Sequence, residues 1–247
     1  MSQSLERGLA ALTALAEGPQ TLDGLAQRLG VHKTTAMRLL RTLETGRFVR
    51  REDVHRYRLG SAVFALAHQA LDDLDARDVA RPFLDALGER TGHTIHLATL
   101  DEDQVVYVDK VDSVHPVRMY SRIGRRAPLH CTAVGKVLVA DLSQQRRERL
   151  AQRIAYPKLT ANTIDSAERY LAELERVRAQ GYSVDRSEHE EFTHCIAAPV
   201  RNHRGDAVAA MSISVPKVLL SWEDLLGWLP DLRRTAAEIS RELGNRQ

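Results

Sequence analysis

The chain has 247 residues, enough for one large domain or two smaller ones with adequate cores, and its 43% hydrophobic and 28% charged residues are those of an ordinary globular protein. No apolar run approaches the ~18 residues of a membrane span, the N-terminus MSQSLERGLAALTALAEG is helical in period instead of signal-like, and two cysteines, Cys131 and Cys195, exclude a disulfide framework, so a reducing cytoplasm is the expected location. The net charge of +2 divides unevenly: residues 1–60 hold ten Lys/Arg against six Asp/Glu (+4) and the remainder 25 against 27 (−2), which points to a polyanionic partner for the N-terminal part.

Leu5, Leu9, Leu12 and Leu15, with Ala16 behind them, mark a first helix that the Gly18-Pro19 turn ends. Thr21 is placed to cap a short second helix, LDGLAQRL, with Leu22, Leu25, Ala26 and Leu29 inward. Gly30 permits a tight turn into VHKTTAMRLL, a third helix on which Ala36, Leu39 and Leu40 close a small core. Two short helices around a Gly turn describe a helix-turn-helix. Phe48-Val49 and Tyr57-Arg58-Leu59 then flank a charged turn at Glu52-Asp53, which makes a β-wing. The basic and hydroxyl residues fall on one helix face (Lys33, Thr34, Thr35, Arg38, Arg41) and one hairpin (Arg50, Arg51, Arg56). Lys and Arg neutralise phosphates, and Thr and Arg reach base edges, so these eight are the candidate DNA contacts. A solvated face on a small protein-binding helical domain is the bland alternative.

Residues 61–76 read as a linker helix, joined to the wing without any flexible spacer, and a further helix runs to Gly92. From His93 the pattern turns to strands at HTIHLATL, QVVYVDKV and VRMYS. Helices follow in PLHCTAVGKVLVADL, QQRRERLAQRI and SAERYLAELERVRAQG. Three more strands (YSVDRS, THCIAAPV, DAVAAMSISV) precede one terminal helix from Ser221 to about Glu242. Strand runs with segregated helices predict an α+β domain around an antiparallel sheet. The expected organisation is a winged helix-turn-helix over 1–60, the linker helix over 61–76 and an effector-binding and oligomerisation domain over 77–247.

The segments SLERGLAALTAL, LAQRLGVHKTTAMRLLRTLETGRFV with YRLG, LHCTAVGKVLVA, VRAQGYSVDRSEH, CIAAPV and AAMSISV together resemble the IclR family of bacterial transcription regulators. The resemblance covers essentially the whole chain. It implies a winged helix, a linker helix and a GAF-like effector domain, assembled as a homodimer or homotetramer that binds a pseudo-palindromic double-stranded operator, more often as a repressor. The stretch VDKVDSVHPVRMYSRIGRRAPLHCTAVGKVLVA is most similar to the KdgR branch, which implies 2-keto-3-deoxygluconate or a related sugar acid as effector. Aromatic acids, glyoxylate and short keto acids are the alternative effectors within the family.

By the same resemblance the effector site comprises Ala133 and Val134 through their backbone N–H groups, with Asp185, Cys195, Ser212 and Ser214. Residue chemistry agrees with that set. Thr132 precedes an apolar helix whose first N–H groups lack partners and suit a carboxylate. Ser212 and Ser214 share one strand face, and Asp185 in a buried strand needs a donor. Against this, the serines on a solvent face and Cys195 as a small core residue are ordinary outcomes. The arginine-rich loop at Arg122, Arg125 and Arg126 either overlies the pocket or is a solvated or subunit-contact loop. The dipeptides His130-Cys131 and His194-Cys195 suggest zinc, but neighbours in a strand face opposite sides, which leaves a mixed site using one residue from each as the minor alternative to the expected absence of any metal or other cofactor. A hydrolytic triad of Asp185, His189 and Ser212 would make this an enzyme with a fused DNA-binding domain. Without a G-x-S-x-G elbow, a phosphate loop or an H-E-x-x-H motif, no catalytic residue is expected.

Overall fold

The computed structural model describes residues 3–53, 55–72, 76–117, 119 and 121–246, with side chains at 67–72 left aside. The chain divides into two compact units, Met1–Leu74 and Asp75–Gln247. The expected linker helix over 61–76 runs across residues 73–75, which lie outside the described residues; its helix is seen over Ser61–Asp72.

The first unit opens with α1 (Gln3–Ala16), β1 (Gln20–Thr21), α2 (Leu22–Arg28) and α3 (Lys33–Thr45). Thr21 caps α2 by accepting the N–H of Gly24, and His32 caps α3 by accepting that of Thr34. The intervening turn puts Gly30 at φ +61°, a conformation that side chains resist. The wing is β2 (Val49–Arg51) against β3 (Arg56–Leu59), and its turn is held by Asp53 Oδ1, which accepts the N–H groups of His55 and Arg56. Strand β1 adds a third member, pairing Gln20 with Tyr57, and α4 (Ser61–Asp72) follows. Ala14, Leu15, Leu25, Leu40, Val49 and Tyr57 form the core. Leu39 is only half-buried and lies beside that core instead of closing it. Leu5 and Leu9 are 64% and 56% exposed. With Leu12, Leu39, Leu43 and Phe48 they line an apolar groove of about 550 Å³.

The second unit contains α5 (Ala76–Thr91), β4 (Thr94–Asp101), β5 (Gln104–Val111), β6 (Arg126–Ala127), α6 (Ala133–Ala140), α7 (Gln144–Arg153) and α8 (Ala167–Gln180). Strands β7 (Ser183–Arg186), β8 (Thr193–Arg201) and β9 (Ala207–Pro216) and helices α9 (Trp222–Gly227) and α10 (Leu229–Glu242) complete it. Its antiparallel sheet has the order β6-β5-β4-β9-β8-β7. Helix α6 is buried along its whole length and packs with α8 on one sheet face. The α+β architecture therefore follows from the segregated runs in the sequence.

Two expected elements differ. A strand over 117–121 does not form at residues 117, 119 or 121, while 118 and 120 lie outside the described residues; β6 occupies that edge instead. The terminal helix is two helices meeting at Trp228, because Pro230 at the start of α10 has no N–H to continue the ladder from α9.

Candidate functional site

On α3 the polar face is not uniform. Thr34, Arg38 and Arg41 are exposed, and the Thr34 hydroxyl sits 3.0 Å from His32 Nδ1. Thr35 is half-buried on one flank. Lys33, on the other, is engaged by Asp23 of α2 at 2.8 Å. On the wing, Arg50 and Arg56 are exposed. Arg51 turns back toward its own unit, with Nε 3.9 Å from Glu44 and its guanidinium 5.4 Å from the Tyr57 ring centroid. Arg38, Arg41, Arg50 and Arg56 thus form no ion pair among the described residues, whereas Lys33 and Arg51 are already occupied within the unit.

In the second unit, strand register assembles a polar floor. Asp185 of β7 lies opposite Cys195 of β8, which lies opposite Ser214 of β9, so the three side chains share one face. The next row on that face sets Ser212 beside His96 of β4. Both serines are 3% exposed, so the solvent-face alternative fails. The start of α6 closes the space from the other side. Thr132 Oγ1 accepts the N–H of Gly135 at 3.2 Å and donates to the Pro128 carbonyl at 2.7 Å. The N–H of Lys136 goes to the Thr132 carbonyl. Ala133 and Val134 are left as the helix-end amides that line the cavity, on a first turn with no acidic residue to offset its dipole.

All six sequence-predicted effector residues (Ala133, Val134, Asp185, Cys195, Ser212, Ser214) line this one cavity of about 30 Å³. Sequence reasoning missed most of the other lining groups, among them His96, Tyr107, Met119, Ser121, His189, Glu190 and Thr193. Arg125 and Arg126 also line it, which places that part of the arginine-rich loop at the pocket. His96 is the central omission. Burial, then the charge of Lys110, drives its imidazole down to about 3, so it is neutral. Its Nδ1 lies 3.2 Å from Ser214 Oγ and its Nε2 lies 2.6 Å from Ser121 Oγ. The only signal in the sequence was polar Thr94 and His96 alternating within an otherwise apolar strand.

Electrostatics set the character of the floor. Asp185 is pushed up to about 7, first by burial and next by the neighbouring Glu188 carboxylate. Burial also raises the Cys195 thiol well above its usual range, keeping it neutral. Beneath the cavity, fully buried Lys136 holds both Glu188 oxygens at 2.6 and 2.7 Å and Glu173 Oε1 at 3.2 Å. Among the described residues no group of three His, Cys, Asp or Glu side chains is placed to hold a metal ion.

Gly135 is required here by close approach. A Cβ at this position would lie 2.7 Å from Thr132 Oγ1, 2.8 Å from the Leu129 carbonyl and 2.9 Å from that of Pro128. Gly→Ala within a helix ordinarily stabilises by about 1 kcal/mol. For Gly135→Ala the sign reverses: a loss of about 1–3 kcal/mol is expected, with the Ala133 and Val134 amides displaced. Chemical denaturation measures it, and an unchanged midpoint would refute the crowding argument.

A winged helix-turn-helix joined to an α+β unit around a buried polar cavity defines the class of DNA-binding transcription regulators. The chain belongs to the IclR family: the IclR helix-turn-helix domain matches residues 4–53 and the bacterial transcriptional regulator IclR C-terminal domain matches residues 68–241. It is 40% identical over 221 residues to the HTH-type transcriptional regulator KdgR of Escherichia coli, covering 89% of this chain and 84% of that one. It is 34% identical over 245 residues to the E. coli regulator XynR, covering 98% and 97%. The crystal structure of the Agrobacterium tumefaciens repressor BlcR superposes with a TM-score of 0.87 at 28% identity, covering 99% of this chain and 98% of that chain.

Proposed function

We propose that this regulator is a cytoplasmic homodimeric or homotetrameric repressor that responds to a hydroxylated 2-keto acid of the 2-keto-3-deoxygluconate class. The observation that carries the effector reading is the cavity, where the Ala133 and Val134 amides of an α-helix start, without an acceptor among the described residues, face a row of Asp185, Cys195 and Ser214. The amides suit the carboxylate of such an acid, and the serines, Asp185 and Thr193 suit its hydroxyls. The 40% identity to KdgR supports the sugar-acid choice over aromatic or short keto acids. For the dimer, the support is the groove around exposed Leu5 and Leu9, an apolar surface that a second winged helix would cover.

On DNA, Thr34, Arg38 and Arg41 enter the major groove while Arg50 and Arg56 hold phosphates, and Lys33, Thr35 and Arg51 orient the helix and wing. A symmetric dimer then reads half-sites about one helical turn (~34 Å) apart, or a multiple of that. Arg50→Ala is expected to weaken specific and random DNA alike and to lower the salt slope of log affinity by about 0.9 for each phosphate that it leaves without a cation. Arg38→Ala instead is expected to cost about 1–3 kcal/mol on the operator alone. Fluorescence anisotropy across a salt series separates the two; affinity indifferent to salt would point to a protein-binding helix-turn-helix. A thermal-shift screen of keto, sugar and aromatic acids tests the effector class, because a ligand stabilises the state that binds it. Turnover of a keto acid that vanishes in Asp185→Ala would replace this reading with an enzyme.

A further inference from the structure

Resting on the effector reading above, we propose that the cavity takes its organic anion together with one proton, carried on Asp185, so that effector affinity falls as pH rises. Positive charge is short around the buried carboxylates. Asp185, Glu188 and Glu173 are all at least nine-tenths buried, and the buried cation among them is Lys136. Its ammonium donates to the two Glu188 oxygens and forms an ion pair with Glu173 Oε1, which accepts no hydrogen bond among the described residues. Glu173 has a second cation, Arg176, on its other oxygen. Asp185 has neither. Its Oδ1 accepts the backbone N–H of Glu188 at 2.7 Å and of His189 at 3.4 Å. Among the described residues no donor reaches its Oδ2, although the residue lines the cavity.

The other titratable groups around it do not supply the missing charge. Desolvation suppresses the acidities of half-buried Cys195 and Tyr107, and the Cys131 thiol is pushed up to about 12, so all three are neutral. Burial lowers His189, which therefore stays uncharged near neutrality. Glu190 at the cavity adds negative charge. Arg125 and Arg126 also line the cavity; Arg126 is engaged with Gln104 and Asp101, and the Arg125 charge acts on Tyr107 and His189. An incoming carboxylate settling on the Ala133 and Val134 amides brings a further negative charge beside Asp185. Like charges this close do not both remain ionised in a buried site. The proton comes from solvent, settles on Oδ2, and that O–H donates to an oxygen of the bound acid.

The test uses the full-length protein and 2-keto-3-deoxygluconate. Calorimetry at about pH 8 in buffers of different ionisation heat is expected to show close to one proton taken up per ligand, and affinity should weaken about tenfold per pH unit above about 7. Asp185→Asn keeps the acceptor for the two N–H groups but cannot titrate, so its affinity should be flat with pH and its proton uptake nil. Binding by the wild type without proton uptake overturns the proposal while leaving the effector reading intact. A potentiometric difference titration of wild type against Asp185→Asn needs no ligand. One proton with a midpoint near 7 supports the proposal, and one in the ordinary carboxylate range near 4 overturns it even if this acid fails to bind and the effector class is wrong.

Discussion

Lys136→Met is expected to destabilise the protein by about 3–5 kcal/mol, the cost of leaving buried carboxylates without their cation. For a unit of this size that is a fall in melting temperature of roughly 10 °C. Lys136 is fully buried in the middle of α6, and its ammonium joins that helix to Glu188 of the loop after β7 and to Glu173 of α8. Three segments of the second unit therefore meet on one charge. Methionine fills much of the same volume, so packing alone predicts little change. The loss should come from Glu188 and Glu173, which must then take up protons or draw in water. A compensating Glu188→Gln in the same chain removes one of the orphaned charges and should recover a substantial part of the loss. If Lys136→Met melts within a degree or two of wild type, the buried pair contributes nothing net and the carboxylates are neutral already.

The second large effect is a pH-dependent gap between wild type and Asp185→Asn. In the folded protein Asp185 titrates at about 7, against about 4 in an unfolded chain. Between those values the folded state binds more protons than the unfolded state, so stability declines as pH rises from about 4 to about 7 and is level beyond. The full decline from this one group is on the order of 4 kcal/mol. Asparagine mimics the neutral acid, so the variant should match wild type near pH 4 and exceed it by a gap that grows to about pH 7 and then holds. Paired denaturation curves across that range measure the gap. A gap that does not change with pH would show that Asp185 is ionised throughout.

How much of this was legible in the sequence depends on how local the cause is. The β-rich run QVVYVDKV, set off by the polar turn at Asp101-Glu102-Asp103, placed β5 over the residues it occupies, and Thr21 and Thr132 announced the helices they cap. Two-residue strands such as β1 and β6 carry no periodicity and exist only because a distant strand pairs with them. The exposed Leu5 and Leu9 also escaped, since a helical stripe of leucines reads the same whether its cover is this chain or another. In the cavity, spacing alone set Ser212 and Ser214 on one face. Their meeting with Cys195, Asp185 and His96 depends on register between strands far apart in sequence. Lys136 offered a signal that was passed over: one lysine inside the apolar run AVGKVLVA demands a buried acidic partner, and Glu188 lies 52 positions away.

The central claim is that acid binding in the second unit alters DNA binding by the first. This requires the acid to bind the DNA-competent and DNA-incompetent states with different affinity. It is tested most directly by fluorescence anisotropy of the full-length protein on the DNA upstream of its own gene, titrated with 2-keto-3-deoxygluconate at fixed salt. Release of the DNA by the acid, lost when Ser212 and Ser214 are both replaced by valine but with DNA affinity itself retained, is the predicted result. DNA affinity that stays constant while the acid demonstrably binds would contradict the account.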